Sequence, residues 1–219
     1  MIEIKNLSRY YRSGKREVKA LDDLSLNINA GEFVVIRGSS GSGKTTLLLS
    51  VGGMLNPTSG EIIVDGQNLY TLNGSERTRF RSKKIGFVFQ MFYLLPYITV
   101  LDNVMLPTPL IDSHPKKDDA VNLLENFGLS HRIHHFPSEL SAGEKQRTAI
   151  ARAIINQPKI ILADEPTGNL DPENAEQAFK ILSDFHKQGG TVLVVTHGKD
   201  ADQYADRIIS LSQGKIVKN

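Results

Sequence analysis

The segment that decides the fold reads Phe33-Val34-Val35-Ile36-Arg37-Gly38-Ser39-Ser40-Gly41-Ser42-Gly43-Lys44-Thr45-Thr46-Leu47-Leu48. Its first four residues are continuously apolar, as a strand buried on both faces requires. Beyond the turn, Leu47, Leu48, Val51, Met54 and Leu55 recur at helical spacing and give one apolar stripe, which Pro57 and Gly60 bring to an end. Between strand and helix, residues 38–45 satisfy G-x-x-x-x-G-K-[ST] in the context where that pattern has a mechanism. Glycines let the backbone wrap so closely that successive N–H groups face phosphate oxygens. The helix N-terminus adds partial positive charge, and Lys44 reaches the β and γ phosphates. Thr45 offers its hydroxyl to Mg2+. A Gly/Ser-rich turn with a surface lysine is the plainer alternative, and the flanking strand and helix disfavour it. The implied ligand is a purine nucleoside triphosphate.

A phosphate site of this kind needs a carboxylate for the metal and a group to orient attacking water. Ile160-Ile161-Leu162-Ala163-Asp164-Glu165 supplies both. Asp164 falls at the carboxyl end of a buried strand, where open α/β sheets place ligands, and can face a metal held at Thr45. Glu165 is the candidate general base. Two adjacent acids more often mark a solvated turn or a helix start, but the apolar approach and Pro166 argue against that here. Two more strand ends agree, since Ile85–Phe89 delivers Gln90 and Thr191–Thr196 delivers His197. Singly, each is an ordinary polar residue; together, four strands would present polar groups at one edge.

Further out, residues 20–28 alternate as a strand, and Glu61-Ile62-Ile63-Val64 followed by Asp65-Gly66 predicts an antiparallel hairpin. A block at about 91–158 begins Pro- and aromatic-rich and turns helical from 116 to about 156, so it reads as a helical insertion. A helix over 174–186 and a closing hairpin around Gln213-Gly214 complete the pattern. Alternating strands and helices argue for a parallel α/β core.

The chain has 219 residues, enough for one large domain or a core with an insertion. Hydrophobic residues make up 40% and charged residues 23%, ordinary for a globular protein. Lys and Arg number 26 against 24 Asp and Glu, a net charge of +2, too small to advertise a general attraction to nucleic acid or acidic lipid. The absence of cysteine removes disulfides, thiolate nucleophiles and Cys-ligated metals, and fits a reducing compartment. The opening residues alternate like a strand rather than carrying a basic segment and an apolar run, so no export signal is expected. No apolar run reaches the 18 or so residues of a membrane span.

Residues 140–146 read Leu-Ser-Ala-Gly-Glu-Lys-Gln, followed by Arg147-Thr148-Ala149-Ile150-Ala151-Arg152-Ala153 and, later, by Asp164-Glu165-Pro166-Thr167-Gly168-Asn169-Leu170-Asp171. With the phosphate loop, these segments resemble the ABC ATPase family, in one order and with its usual spacings from the Tyr10-Tyr11 pair to His197. Within the family the chain looks most like ATP-binding subunits of the lipoprotein-releasing and macrolide-efflux type. The resemblance implies an α/β P-loop NTPase of ABC ATPase type: a parallel core sheet, an antiparallel β subdomain and a helical subdomain, in a single nucleotide-binding domain over residues 1–219.

It also implies roles. Gly38, Ser39, Ser40, Gly41, Ser42, Gly43, Lys44, Thr45 and Thr46 would bind the nucleotide. Tyr11, less readily Tyr10, would stack on adenine. Thr45, Gln90 and Asp164 would serve Mg2+, and His197 would contact the γ phosphate beside Lys44 and Glu165. Ser141 and Gly143, at a helix N-terminus, would bind the γ phosphate of a nucleotide held by a second subunit, and Asp171 would order the seam. The family places Ser141 and Lys44 on distant lobes of one subunit, so a head-to-tail homodimer closing on two ATP molecules is implied. A separate transmembrane permease would receive the motion at the cytoplasmic face of the inner membrane, for export, lipoprotein release or mechanotransmission.

Ala142 stands where the family commonly has glycine and would restrict any φ > 0 conformation. Glu144 replaces the commoner glutamine, and Gly198 the common aspartate. Slower or weaker nucleotide clamping is the expectation. His131, His134 and His135 lack an acidic partner in the sequence and read as a solvated or interface cluster. The basic runs at 77–84 and 116–117 read as solvated helix faces. Residues 92–97 are either ordinary core or an apolar patch that docks a short helix of a membrane subunit. A membrane-independent ABC-type ATPase acting on DNA or another macromolecule is the main alternative, but it would carry sustained heptads between the two halves of the site, and none is present. A small-molecule kinase would not need the Ser141-Gly143 segment, and a GTPase would show an Asn-Lys-x-Asp motif. No nucleic-acid partner is expected.

Overall fold

The computed structural model describes residues 1–13, 16–110 and 115–217. In chain order, a long hairpin of β1 (Ile2–Ser13) and β2 (Arg16–Ile28) precedes β3 (Phe33–Arg37) and α1 (Lys44–Val51). A second hairpin, β4 (Ser59–Val64) and β5 (Gln67–Asn68), is followed by α2 (Gly74–Lys84) and β6 (Ile85–Phe89). Then come α3 (Val100–Met105), α4 (Lys117–Asn126), α5 (Ala142–Ile154), β7 (Ile160–Asp164), α6 (Pro172–Lys187), β8 (Thr191–Thr196), β9 (Arg207–Ser212) and β10 (Lys215–Val217).

Two sheets form. One has order β2-β1-β4-β5 and is antiparallel; the other has order β10-β9-β3-β8-β7-β6 and is parallel except at the β9-β10 hairpin. Both expected hairpins turn through consecutive positive-φ residues, Asp65-Gly66 and Gln213-Gly214, the twist that joins adjacent strands most readily.

The alternation of side chains explains why the central strands are apolar throughout. Val34 and Ile36 of β3, Leu162 of β7 and Leu193 and Val195 of β8 face the antiparallel sheet and α1. Phe33 and Val35, Ile161 and Ala163, and Val192 and Val194 point the other way, against α5 and α6. Each of these strands therefore buries both faces. A third apolar cluster gathers Val100, Leu101 and Val104 of α3, Ala120 and Leu124 of α4, and Ala151 of α5.

Three local expectations shift. The α1 stripe stops at Val51, because Gly52 passes so close to the Phe87 ring that it has no room for a side chain and Gly53 turns at φ 66. Met54 is left 46% exposed. The helical run from 116 breaks into α4 and α5, with Gly128 at φ 69 and Pro137 between them. Finally, α6 starts at Pro172, two residues earlier than the pattern suggested, since Asp171 caps it and proline suits the first helical position.

Candidate functional site

Strand register assembles the site. Phe89 pairs with Asp164, Asp164 with Val195, and Thr196 with Arg37, so four adjacent parallel strands end level. The residues that follow them, Gln90, Glu165, His197 and the loop from Gly38, meet at one edge. A cavity of about 780 Å³ opens there, lined by Tyr11, Val18, Ala20, Ser39, Ser40, Gly41, Gly43, Lys44, Thr45, Thr46, Gln90, Glu165 and His197.

The loop is built for an anion. Gly43 sits at φ 106 against the Ala20 carbonyl, a place no Cβ could occupy, and it leads into α1 with no side chain capping the helix. The first N–H groups of α1 are therefore free for a ligand. Lys44 is 7% exposed, and its Nζ donates to the carbonyls of Gly38 at 2.7 Å and Ser39 at 3.1 Å. Ser42 is buried under the loop.

Beside it, the Thr45 hydroxyl donates to Asp164 Oδ1 at 3.1 Å. Burial pushes the Asp164 carboxyl up, opposed by the Thr45 hydrogen bond, reinforced by the charge of Glu165 and opposed again by Lys44. A desolvated carboxylate and a hydroxyl with Gln90 nearby make a hard-oxygen set that suits Mg2+. Glu165 turns at φ 44, held by its N–H on the Val195 carbonyl at 2.9 Å. Its Oε2 accepts from Thr196 Oγ1 at 2.9 Å and His197 N at 3.3 Å, and lies 2.9 Å from His197 Nδ1. Its Oε1 is 3.8 Å from Lys44 Nζ.

At the far wall Tyr11 is 40% exposed and pairs across the hairpin with Val18, an apolar residue 57% exposed. Tyr10 is committed elsewhere, its hydroxyl on Asp22 and its ring under Lys19. Sequence reasoning missed Val18 and Ala20 as wall residues and Thr196 as a partner of Glu165. The signals were an exposed valine in an otherwise polar strand segment and a hydroxyl immediately before His197.

Ser141, Gly143 and Asp171 do not line this cavity; Gly143 and Asp171 both pack against Asn174 instead. Ser141 caps α5, and Glu144 returns a carboxylate to the Ser141 N–H at 2.8 Å. Gly143 packs onto the Asn174 amide so closely that a Cβ could not fit. Asp171 accepts from Asn174 N at 3.0 Å and Asn174 Nδ2 at 2.7 Å, contacts that lower its pKa. Ala142 is the first residue of the helix and is not among the positive-φ residues, so the expected restriction from its Cβ does not arise. A Cβ on Gly198 would meet only ordinary contacts.

His131 and Arg132 lie in a short 3-10 turn rather than on a helix face, and Arg132 Nε donates to Glu144 Oε1 at 2.8 Å. Among the described residues no group of three or more His, Asp and Glu side chains is placed to hold a metal.

The geometry agrees with known proteins. Residues 21–168 match the family model described as ABC transporter. The chain is 43% identical to the lipoprotein-releasing system ATP-binding protein LolD of Xanthomonas campestris pv. campestris, covering 99% of this chain and 92% of LolD. It is 46% identical to the macrolide export ATP-binding/permease protein MacB of Chlorobaculum tepidum, covering 99% of this chain but only 34% of that relative, so it spans about a third of the MacB length. A solved structure described as the dimeric post-hydrolysis state of the ATP-binding cassette MJ0796 bound to ADP and Pi superposes with a TM-score of 0.94 at 40% identity, covering 100% of this chain and 97% of that one. A loop built for phosphate, a carboxylate pair beside it, the family match and these relatives lead to one conclusion: the chain belongs to the ABC transporter family.

Proposed function

We propose that ATP binds with its phosphates on residues 38–46 and its base stacked on Tyr11 beside Val18, and that a second copy, turned head to tail, covers the γ phosphate with Ser141 and Gly143. Thr45, Asp164 and Gln90 would hold Mg2+, which supplies charge neutralisation on the phosphates. Glu165 takes a proton from the attacking water. Lys44 neutralises charge at the β and γ phosphates, and His197 contacts the γ phosphate from the end of β8. Asp171, through Asn174, orders the facing surface around Gly143.

The observation that carries this reading is the division of the site. Lys44 and Glu165 line one cavity, while Ser141 and Gly143 open a separate helix, in the helical block at about 91–158, that does not line it. Two copies solve that separation if each completes the other.

The motion would pass to a transmembrane permease. No helix among the described residues is long and apolar enough to cross a membrane. A groove of about 370 Å³ lies between the central sheet and the helical block, walled by Met54, Phe87, Phe89, Tyr93 and Leu106, and suits a short amphipathic helix of such a partner. The subunit would then work at the cytoplasmic face of the membrane beside that permease, and the likeness to LolD favours lipoprotein release or a related export task.

Complementation between variants tests the composite site. Lys44→Ala and Ser141→Arg should each be inactive alone, whereas their mixture rebuilds one intact site per dimer and regains hydrolysis. A mixture as inactive as its parts would sink the reading.

A further inference from the structure

Just past Gln90 the backbone turns through two successive left-handed residues, Phe92 at φ 60 and Tyr93 at φ 47. Bulky L-residues hold that conformation only where their surroundings enforce it. The turn's own N–H groups bond back to the Phe89 and Met91 carbonyls, and the side chain that holds the two residues is Arg152, near the end of α5. Its Nη1 donates to the Tyr93 carbonyl and its Nη2 to the Phe92 carbonyl, both at 2.6 Å. Both partners are uncharged, and burial holds the guanidinium below its usual pKa. A fork spent on two backbone carbonyls fixes geometry rather than balancing charge.

The same segment has a second tether. Asn169 Nδ2 donates to the Gln90 carbonyl at 2.9 Å, from the turn that carries Glu165 and Asp171. Asn169 Nδ2 also lies 3.8 Å from Met91 Sδ, so this tether holds the start of the segment, whereas Arg152 grips both left-handed residues. Tyr93 itself is 63% exposed, its ring edge-on to Phe89 at 5.2 Å, in the wall of the groove described above.

The helix that carries Arg152 begins at Ser141 and Gly143. It runs unbroken from Ala142 to Ile154, so Gly143 and Arg152 sit about 14 Å apart on one rigid rod. We infer that Arg152 is a positioning residue that locks the Phe92-Tyr93 turn to α5, so that displacement of the Ser141 end of α5 reaches the groove through Arg152 and not through Asn169. This rests on the proposal that a second copy's nucleotide engages Ser141.

The chain contains no tryptophan, so Tyr93→Trp in a Glu165→Gln background places a single reporter in the groove wall. ATP with Mg2+ should shift its emission. Adding Arg152→Met should abolish that shift while ATP binding, followed with a fluorescent analogue, is retained; adding Asn169→Ala should leave the shift in place. The opposite pattern, or an indole that stays silent in a parent that binds ATP and dimerises, overturns the inference. If Arg152→Met does not fold, Arg152→Lys takes its place, keeping a cation but not the planar fork on two carbonyls: a reduced shift there is expected, and an undiminished one overturns the inference, as does loss of the shift in Asn169→Ala. A parent that binds ATP but never dimerises instead defeats the reading beneath it, and this inference falls with that reading.

Discussion

Glu165 Oε2 lies 2.9 Å from His197 Nδ1, and the same oxygen accepts from the Thr196 hydroxyl and the His197 N–H. The end of β8 thus aims the carboxylate proposed as the base. Glu165 contributes its own constraint, because a glutamate at φ 44 has little freedom to reorient. His197 is 68% exposed at its side chain and Glu165 only 14%, so the two meet at the mouth of the cavity, with the base inside it.

Glu165→Gln keeps the shape and can still accept from Thr196, but an amide takes no proton from water. Hydrolysis should fall by roughly 100- to 10,000-fold, the usual worth of a positioned base. ATP binding should persist, and an ATP-held dimer should accumulate. Light scattering with ATP checks this, and a persistent monomer at high protein concentration would count against the mechanism.

Thr196 tests whether aiming the base matters. Its side chain touches Glu165 and the Gly198 N–H, and it does not line the cavity. Thr196→Val removes the hydrogen bond to Glu165 together with the one accepted from Gly198 N, and the loss at Glu165 should lower kcat about tenfold, equivalent to about 1.4 kcal/mol, with KM little changed. Thr196→Ser should recover most of the rate. Equal losses in both variants, or a change confined to KM, would show that Thr196 serves packing only.

Lys44 and Ser141 should fail in different ways. Lys44→Ala removes the ammonium that now serves the Gly38 and Ser39 carbonyls and would serve phosphate, so triphosphate affinity should drop about 100-fold or more. Ser141→Arg should abolish hydrolysis while ADP binding survives, since Ser141 does not line the cavity. Calorimetry with ADP distinguishes them: loss of ADP binding in Ser141→Arg would contradict a site shared between two copies.

Much of this was legible in the sequence because it is written in strands. A buried strand fixes the position of the residue that follows it, and so Gly38, Gln90, Glu165 and His197 could be placed at one edge before any contact was known. The phosphate loop was legible because its glycines are spatial requirements, as the Gly43 approach to Ala20 demonstrates. Helix boundaries were less so. Nothing in the stripe of α1 announces that the Phe87 ring, far along the chain, ends it at Gly52. The concern over Ala142 had the right physics but the wrong conformation, because the residue lies inside a helix. The hold of Arg152 on Phe92 and Tyr93 had no sequence signal at all, since its partners are backbone carbonyls and any residue type supplies those.

Glu144 carries the clearest pH dependence. Burial works to raise its carboxyl, but the Ser141 N–H, Arg132 and the Ser141 hydroxyl outweigh it and bring the pKa from 4.5 to about 2. A carboxylate depressed in this way contributes stability that is complete above the unfolded value and drains away as pH falls through the folded one. Its neighbours are Arg132, whose Nε is 2.8 Å away, and His131, whose Nε2 is 3.6 Å away. Glu144→Gln keeps a carbonyl for Arg132 but no charge, and should lower Tm at neutral pH by about 2–4 °C, corresponding to about 1 kcal/mol. The gap between the two proteins should then close as pH is taken from about 5 to about 2.5. Thermal melts across that range provide the check; a gap of constant size would mean that the cap of α5 depends on the shape of Glu144 and not on its ionisation.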